Sequence, residues 1–339
     1  MDSKQPAWVS GLKEFEKPVT WKVVVQLVDT VIPFLALMTL MYITIVQGLP
    51  YWVTLLLAVP TGAFLLRTFI LFHDCCHGSF VASPSALNVI GTVLGLFALT
   101  PFADWRWSHG MHHSTAGDLD RRGVGDVWTM TLNEYATAGV FMRGLYRFYR
   151  FPAVMFILGP LLSFVIMNRI PSRGANARRV RSVIFTNVAL AAIIAALSLT
   201  VGWKAFLMVE LPVLVFGGAG GVWLFYVQHN FDPSYWARTE GWQSLDAALM
   251  GSSYYKLPAV LRWISGSIGL HHLHHLKPRI PNYNLQRAVM ATPELQLPNA
   301  LTLRTSLRSV RYKVWDEEGR TLLSFREMAQ VLRARLRPA

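Results

Sequence analysis

Ten histidines occupy four places in this 339-residue chain, and none lies elsewhere. His73 and His77 bracket the run His73-Asp74-Cys75-Cys76-His77. His109, His112 and His113 make a second group, His271, His272, His274 and His275 a third, and His229 stands by itself in Val227-Gln228-His229-Asn230. A neutral imidazole offers a ring lone pair and is a common ligand for first-row transition metals. On a helix, residues three or four apart share a face, with Cβ atoms about 5–6 Å apart. His73 with His77, His109 with either His112 or His113, and His271 with either His274 or His275 therefore each present two rings to one centre. Consecutive residues diverge by about 100° on a helix, so neighbouring histidines suit different ions. The pattern predicts two metal ions sharing eight or nine imidazoles. Ligand type alone leaves iron, zinc, copper and nickel open. A single buried histidine is ordinarily a satisfied core residue, but confinement of all ten to four places is not explained that way. His272 has no counterpart in the second group and is left between supporting a ligand and lying at the surface.

The elements that must position these rings are apolar. The chain is 53% hydrophobic and 15% charged, whereas a soluble domain carries about a quarter charged residues. Stretches at 31–47 and 51–72 are joined by a short link ending in Leu49-Pro50, and stretches at 183–201 and 205–227 by Gly202-Trp203-Lys204. With its flanks, each is long enough for a bilayer core of about 30 Å. Arg67 is expected to snorkel from the second stretch to the interface. The glycines Gly217, Gly218, Gly220 and Gly221 suit close helix packing, with room for a ligand as the lesser reading. Two shorter stretches, 87–102 and 151–167, read as interfacial or re-entrant, the latter kinked at Gly159-Pro160.

Arg169, Arg173, Arg178, Arg179 and Arg181 crowd the loop before the third stretch, and Lys4, Lys13, Lys17 and Lys22 precede the first. The excess of positive charge on cytoplasmic loops puts both on the inner side. The expectation is one all-α integral-membrane unit over 1–339, with two hairpins of four spans; six spans is the alternative. A cytoplasmic helical cap, 73–182 and 228–339, would gather all four histidine clusters at one membrane face. The N-terminal segment lacks the apolar core and cleavage site of a signal peptide. Adjacent Cys75 and Cys76 suggest no disulfide framework, in keeping with a reducing compartment. The net charge of +13 fits anionic lipid or an acidic protein; no nucleic-acid module is visible. No heme-binding or flavin-binding module is visible either, so redox chemistry here would need electrons from another protein.

The runs HDCCH, HGMHH and HHLHH resemble the three histidine boxes of the membrane fatty acid desaturase family, HxxxH, HxxHH and a distant HxxHH. The likeness extends to Trp105-Arg106-Trp107-Ser108 before the second box, to Lys277-Pro278-Arg279-Ile280-Pro281-Asn282-Tyr283-Asn284-Leu285 after the third, and to Tyr226-Val227-Gln228-His229. It covers roughly 31–316 and is greatest toward bacterial acyl-lipid members. The resemblance implies two non-heme irons held by His73, His77, His109, His112, His113, His271, His274 and His275, with His229 as a ninth ligand. It also implies O2 as co-substrate, a ferredoxin- or flavodoxin-type electron donor, and a cis double bond introduced into acyl chains of intact membrane lipids. The implied setting is the bacterial inner membrane, with the site on its cytoplasmic side. Some animal relatives carry an asparagine one helical turn before the residue matching His229; Phe225 stands there in this chain. The resemblance therefore leaves completion of the second ion's ligands to water or His272.

Asp74, Asp118, Asp120 and Asp126 are candidates to accept a ligand's free N–H, weighed against loop acids paired with arginine. Trp105 and Trp107 would line an acyl channel or anchor at the interface. Arg121, Arg122 and the loop arginines would meet lipid phosphate or an acidic donor, or serve topology alone. Two rival functions share some of these features. A hydroxylase or ketolase could use the same irons on acyl chains, alkanes or carotenoids, although Pro281-Asn282-Tyr283 favours desaturation. A non-enzymatic metal or heme protein would need ionisable groups deep in its spans, where only Arg67 and Glu210 lie.

Overall fold

A computed structural model describes residues 6–296 and 300–335; Lys4 falls outside the described residues. Among the described residues, four helices are long and apolar enough to cross a membrane: Thr20–Val46, Tyr51–His77, Ala177–Thr200 and Trp203–His229, here the first to fourth spans. The first, second and third run well past the apolar stretches read from sequence, the third at its N-terminal end, and the fourth only slightly. Hydropathy stops at the first polar residues, whereas helical hydrogen bonding continues wherever neighbouring protein buries them. The second span thus carries the whole first box as its last turn and a half, and Gly78 ends it with φ 71°, a conformation glycine adopts without strain.

Two further helix pairs are bent. Pro84–Phe97 meets Phe102–Thr115 at 93°, and Val140–Tyr149 meets Val154–Arg169 at 66°; counted as single broken spans they would raise the number to six. Gly159-Pro160 lies between π-helical turns at Val154–Leu158 and Leu162–Ile166. Proline supplies no N–H for the regular ladder, and wider turns absorb the mismatch. The Val140–Tyr149 helix is inside out: Phe141, Leu145 and Phe148 face outward, Phe141 at 81% exposure, while Tyr146 and the following Arg150 are buried.

The all-α expectation is corrected by a three-stranded sheet. β1 (Met130–Thr131) lies parallel to β2 (Val314–Asp316), which pairs antiparallel with β3 (Thr321–Leu323). Strands this short are below the length at which alternation is readable. The sheet ties the C-terminal segment to the loop after the second box, and Val314 and Trp315 are buried in it.

The second and fourth spans form the axis of the bundle. A Cβ on Gly62 would sit 2.7 Å from Phe216 Cβ and 2.8 Å from the Gly217 nitrogen. The two backbones therefore touch, as small residues permit in membrane helices. Arg67 does not snorkel. It is buried between the first and second spans, pairs with Asp29 at 3.3 Å, donates to Thr30 Oγ1 at 2.9 Å and stacks over Trp263. An acid and a carbonyl within reach make burial with partners available, and Asp29, Thr30 and Trp263 are too scattered in sequence to signal it. Gly62→Ala is expected to cost roughly 1–3 kcal/mol by overpacking this crossing, read as a lower melting temperature in detergent; unchanged melting would contradict the contact.

Candidate metal centre

Each histidine cluster reaches the centre on a different support. The second span delivers His73 and His77 one turn apart. The Phe102–Thr115 helix carries His109, His112 and His113, the fourth span ends at His229, and a short helix, His271–Leu276, presents the third box. The hydrogen bond from Tyr255 N–H to Gly269 O, 2.6 Å, holds that last segment against the chain leaving the fourth span.

Nine ring systems fall into two groups. His73, His77, His109, His113 and His274 form one, and His112, His229, His271 and His275 the other; within each group the ligand atoms lie within 4.8 Å of one another. The choices left open by spacing are resolved: His109 shares a centre with His113, and His271 with His275. Consecutive His112 and His113 part between the groups, as do His274 and His275, which is what a helical step requires. The groups adjoin, with His113 and His275 stacked at 4.1 Å.

The nitrogen spacings test whether metal fits. His77 Nε2 lies 3.2 Å from His73 Nε2 and 2.9 Å from His109 Nε2, which is 3.1 Å from His113 Nε2, itself 3.1 Å from His274 Nε2. In the other group His229 Nε2 faces His112 at 3.1 Å and His271 at 2.9 Å. A neutral ring nitrogen has either one N–H or one lone pair, so a nitrogen facing two others cannot satisfy both. Rings bound at about 2.1 Å to one ion and set at right angles would place their nitrogens about 3.0 Å apart. The buried His275 Nε2, which lacks a hydrogen-bond partner, belongs to the second group. Burial first, and neighbouring imidazoles second, push His271, His274 and His275 well below the usual histidine range. They are held neutral, as metal ligands must be. Both groups could hold a metal ion.

His272 belongs to neither group. It is fully buried, its Nε2–H donates to Leu295 O at 3.0 Å, and burial pushes its pKa down to about 4. The surface reading is corrected, and His272 does not complete the second group. Phe225 instead packs on His112 and His229, with ring centroids at 5.1 and 5.3 Å. Of the four acids, Asp126 accepts from His112 Nδ1–H at 2.5 Å. Asp74 Oδ1 is 3.6 Å from His73 Nδ1, and its other oxygen takes the backbone and side-chain N–H of Asn282. Asp118 pairs with Arg121, Asp120 with Arg238, and Arg122 with Glu134. The sequence named Asp126 without means of choosing it. It missed the Gly251 carbonyl that accepts from His229 Nδ1–H at 3.3 Å, because a backbone acceptor leaves no residue-type signal.

An apolar cavity of about 230 Å³ opens beside both groups, touching His73, His109 and His271. The second and fourth spans and the Pro160–Val165 stretch wall it, with Phe69, Trp105 and Phe164 in contact across it. Trp105 also stacks on His109 at 4.4 Å. Trp107 instead lies under Arg179, which pairs with Asp104. Gly217 and Gly221 pack against the second span and Gly218 against Pro160, and all three also line the cavity.

The family model described as fatty acid desaturase matches residues 50–305. This chain belongs to the fatty acid desaturase family. It is 42% identical over 328 residues to a fatty acid desaturase of Bacillus subtilis, covering 97% of this chain and 93% of the relative. It is 29% identical over 249 residues to the sn-1 acyl-lipid omega-3 desaturase (ferredoxin) of Synechocystis, covering 68% and 64%. A chloroplastic sn-2 acyl-lipid omega-3 desaturase (ferredoxin) of Arabidopsis thaliana is 27% identical over 261 residues, covering 71% and 54%. The desaturase is thus an oxidoreductase of acyl chains, with histidine clusters that could bind metal beside an apolar cavity. Asp126→Asn should weaken metal binding in the second group about 10–100-fold, measured by chelator competition on the purified desaturase; unchanged affinity would remove Asp126 from the centre.

Proposed function

We propose that the desaturase inserts a cis double bond into acyl chains of intact membrane lipids, with iron in both histidine groups and the centre at the cytoplasmic face of a bacterial inner membrane. The observation that carries this reading is the apolar cavity ending on imidazoles of both groups. Its wall on the fourth span runs from Leu214 to Gln228, about 21 Å at 1.5 Å per residue. Half of a bilayer core is about 15 Å, so the cavity is long enough for most of one acyl chain. The expected irons would be held by His73, His77, His109, His113 and His274, and by His112, His229, His271 and His275.

With O2, two electrons and two protons, that pair of irons would supply an oxidant able to take two hydrogens from adjacent methylenes, leaving one double bond and two waters. The chain's own residues orient and shield. Phe69, Trp105 and Phe164 keep water from the methylenes, and Trp105 holds the His109 ring flat. Asp126 and the Gly251 carbonyl fix which nitrogens of His112 and His229 are free to bind. Electrons come from an external donor, and two relatives carry ferredoxin in their names; a ferredoxin or flavodoxin fits the basic chain by charge. Inner-face placement draws on the arginine-rich segment 169–181, which runs from a loop into the first turns of the third span and in which Arg173, Arg178 and Arg181 are exposed, as topology-setting cations are.

Expression in a host that makes only saturated lipids, followed by mass spectrometry and double-bond mapping of its phospholipids, tests the reading. Chains two mass units lighter are expected on intact lipids; chains sixteen units heavier would indicate hydroxylation and sink it. His112→Ala and His274→Ala should each abolish the product while the protein still inserts in the membrane, and full activity in either would refute the ligand assignment.

A further inference from the structure

Arg150 is a buried cation whose hydrogen-bond acceptors are all uncharged. Its side chain is 1% exposed. Its guanidinium donates to Trp128 O at 3.2 Å, Thr129 Oγ1 at 3.3 Å, Tyr226 Oη at 3.3 Å, Asn230 Oδ1 at 2.9 Å and Tyr312 O at 2.7 Å. Taking a charge out of water without an opposite charge is unfavourable even when most of its N–H groups are bonded, and the Arg150 Nε–H has no partner. A leucine here would fill space at less expense. The position of the five acceptors gives the arginine a role.

Trp128 and Thr129 follow Asp126, whose carboxylate takes the His112 Nδ1–H. Asn230 directly follows His229, and Tyr226 precedes it by one turn of the same helix. One planar fork therefore joins the segment that braces His112 to the helix end that carries His229. Tyr312 adds a third segment, since Tyr226 Oη–H donates to Ser309 O and Asn230 Nδ2 to both Tyr226 Oη and Ser309 O. His112 and His229 both belong to the second group, and their Nε2 atoms lie 3.1 Å apart. None of the five acceptors adjoins His73, His77 or His274 in sequence.

We infer that Arg150 is a positioning residue for the second histidine group, setting the approach of His112 to His229 and through it the occupancy of one metal ion and not the other. This rests on the two-iron reading above. Lysine would not replace it, because a point ammonium cannot span acceptors on three segments as a rigid guanidinium does. The helix that ends at Arg150 explains how the cation reaches its place: Tyr146 and Arg150 turn inward while Phe141, Leu145 and Phe148 face outward.

Iron content per purified full-length chain decides the matter. Wild type should hold about two irons, and Arg150→Gln about one, as expected for a 10–100-fold loss of affinity at a single site. Adding His112→Ala and His271→Ala to Arg150→Gln should remove no further iron. Adding His77→Ala and His113→Ala instead should remove what is left, the non-additivity that marks a shared site. A merely structural role would lower both irons together. The inference is overturned if Arg150→Gln keeps both irons or loses them equally from the two groups. Should Arg150→Gln fail to insert, Asn230→Ala removes a single acceptor and should show the same one-sided loss; two retained irons there would also overturn it. Wild-type protein with fewer than two irons would instead refute the reading beneath it.

Discussion

Imidazole nitrogens crowded at about 3 Å, several of them facing two neighbours at once, are the constraint on which this molecule is organised. Such crowding is unfavourable by itself: burial strips water from the rings, protonation is suppressed, and lone pairs are left without donors. A cation shared among them would resolve the conflict. The surrounding chain must therefore hold the rings against one another. It does so by delivering them on helix ends whose far portions are locked in the bundle. Side chains and backbone then brace the free ring nitrogens: Asp126 for His112 and the Gly251 carbonyl for His229. Beyond the rings, Asn282 bonds Asp74, within the first box, and Gln26 of the first span, so the segment after the third box is tied to both.

The same architecture serves two media at once. Apolar side chains cover the outer faces of the spans and of the Val140–Tyr149 helix, while polar groups are turned inward and paired. Arg67 with Asp29, Tyr42 with Glu210 and Arg150 with its oxygens are three such interior arrangements. Hydrocarbon outside makes a polar interior affordable, because apolar surface has nothing to gain by packing inward there. The cavity follows from this logic. Glycines that let the second and fourth spans touch also leave free space beside them, and Pro160 of the bent helix packs directly on Gly218 at the cavity wall.

Residue type and spacing were enough to disclose the chemistry. Ten histidines at helical intervals, lengths of apolar chain and clustered arginines are local quantities, readable without knowing what touches what. They identified the boxes, the separation of consecutive histidines between two centres, and the paired spans. Span ends were misplaced because hydropathy measures the side chain, whereas helix length follows from backbone bonds and burial in neighbouring protein. The sheet escaped notice because strands of two or three residues carry no period. Arg67 was misread because its partners lie in other helices.

The remaining choices belonged to the tertiary structure alone. Whether His109 pairs with His112 or with His113, and whether His272 is ligand, support or surface, depends on the rotation of each helix about its axis. That rotation is set by packing at distant contacts such as Gly62 against Gly217. The selection of Asp126 over three other acids, and the burial of Arg150 among Trp128, Asn230 and Tyr312, likewise depend on chain segments far apart in sequence. Composition and period determine which groups a chain can offer. Packing, which couples residues hundreds of positions apart, decides which of them meet.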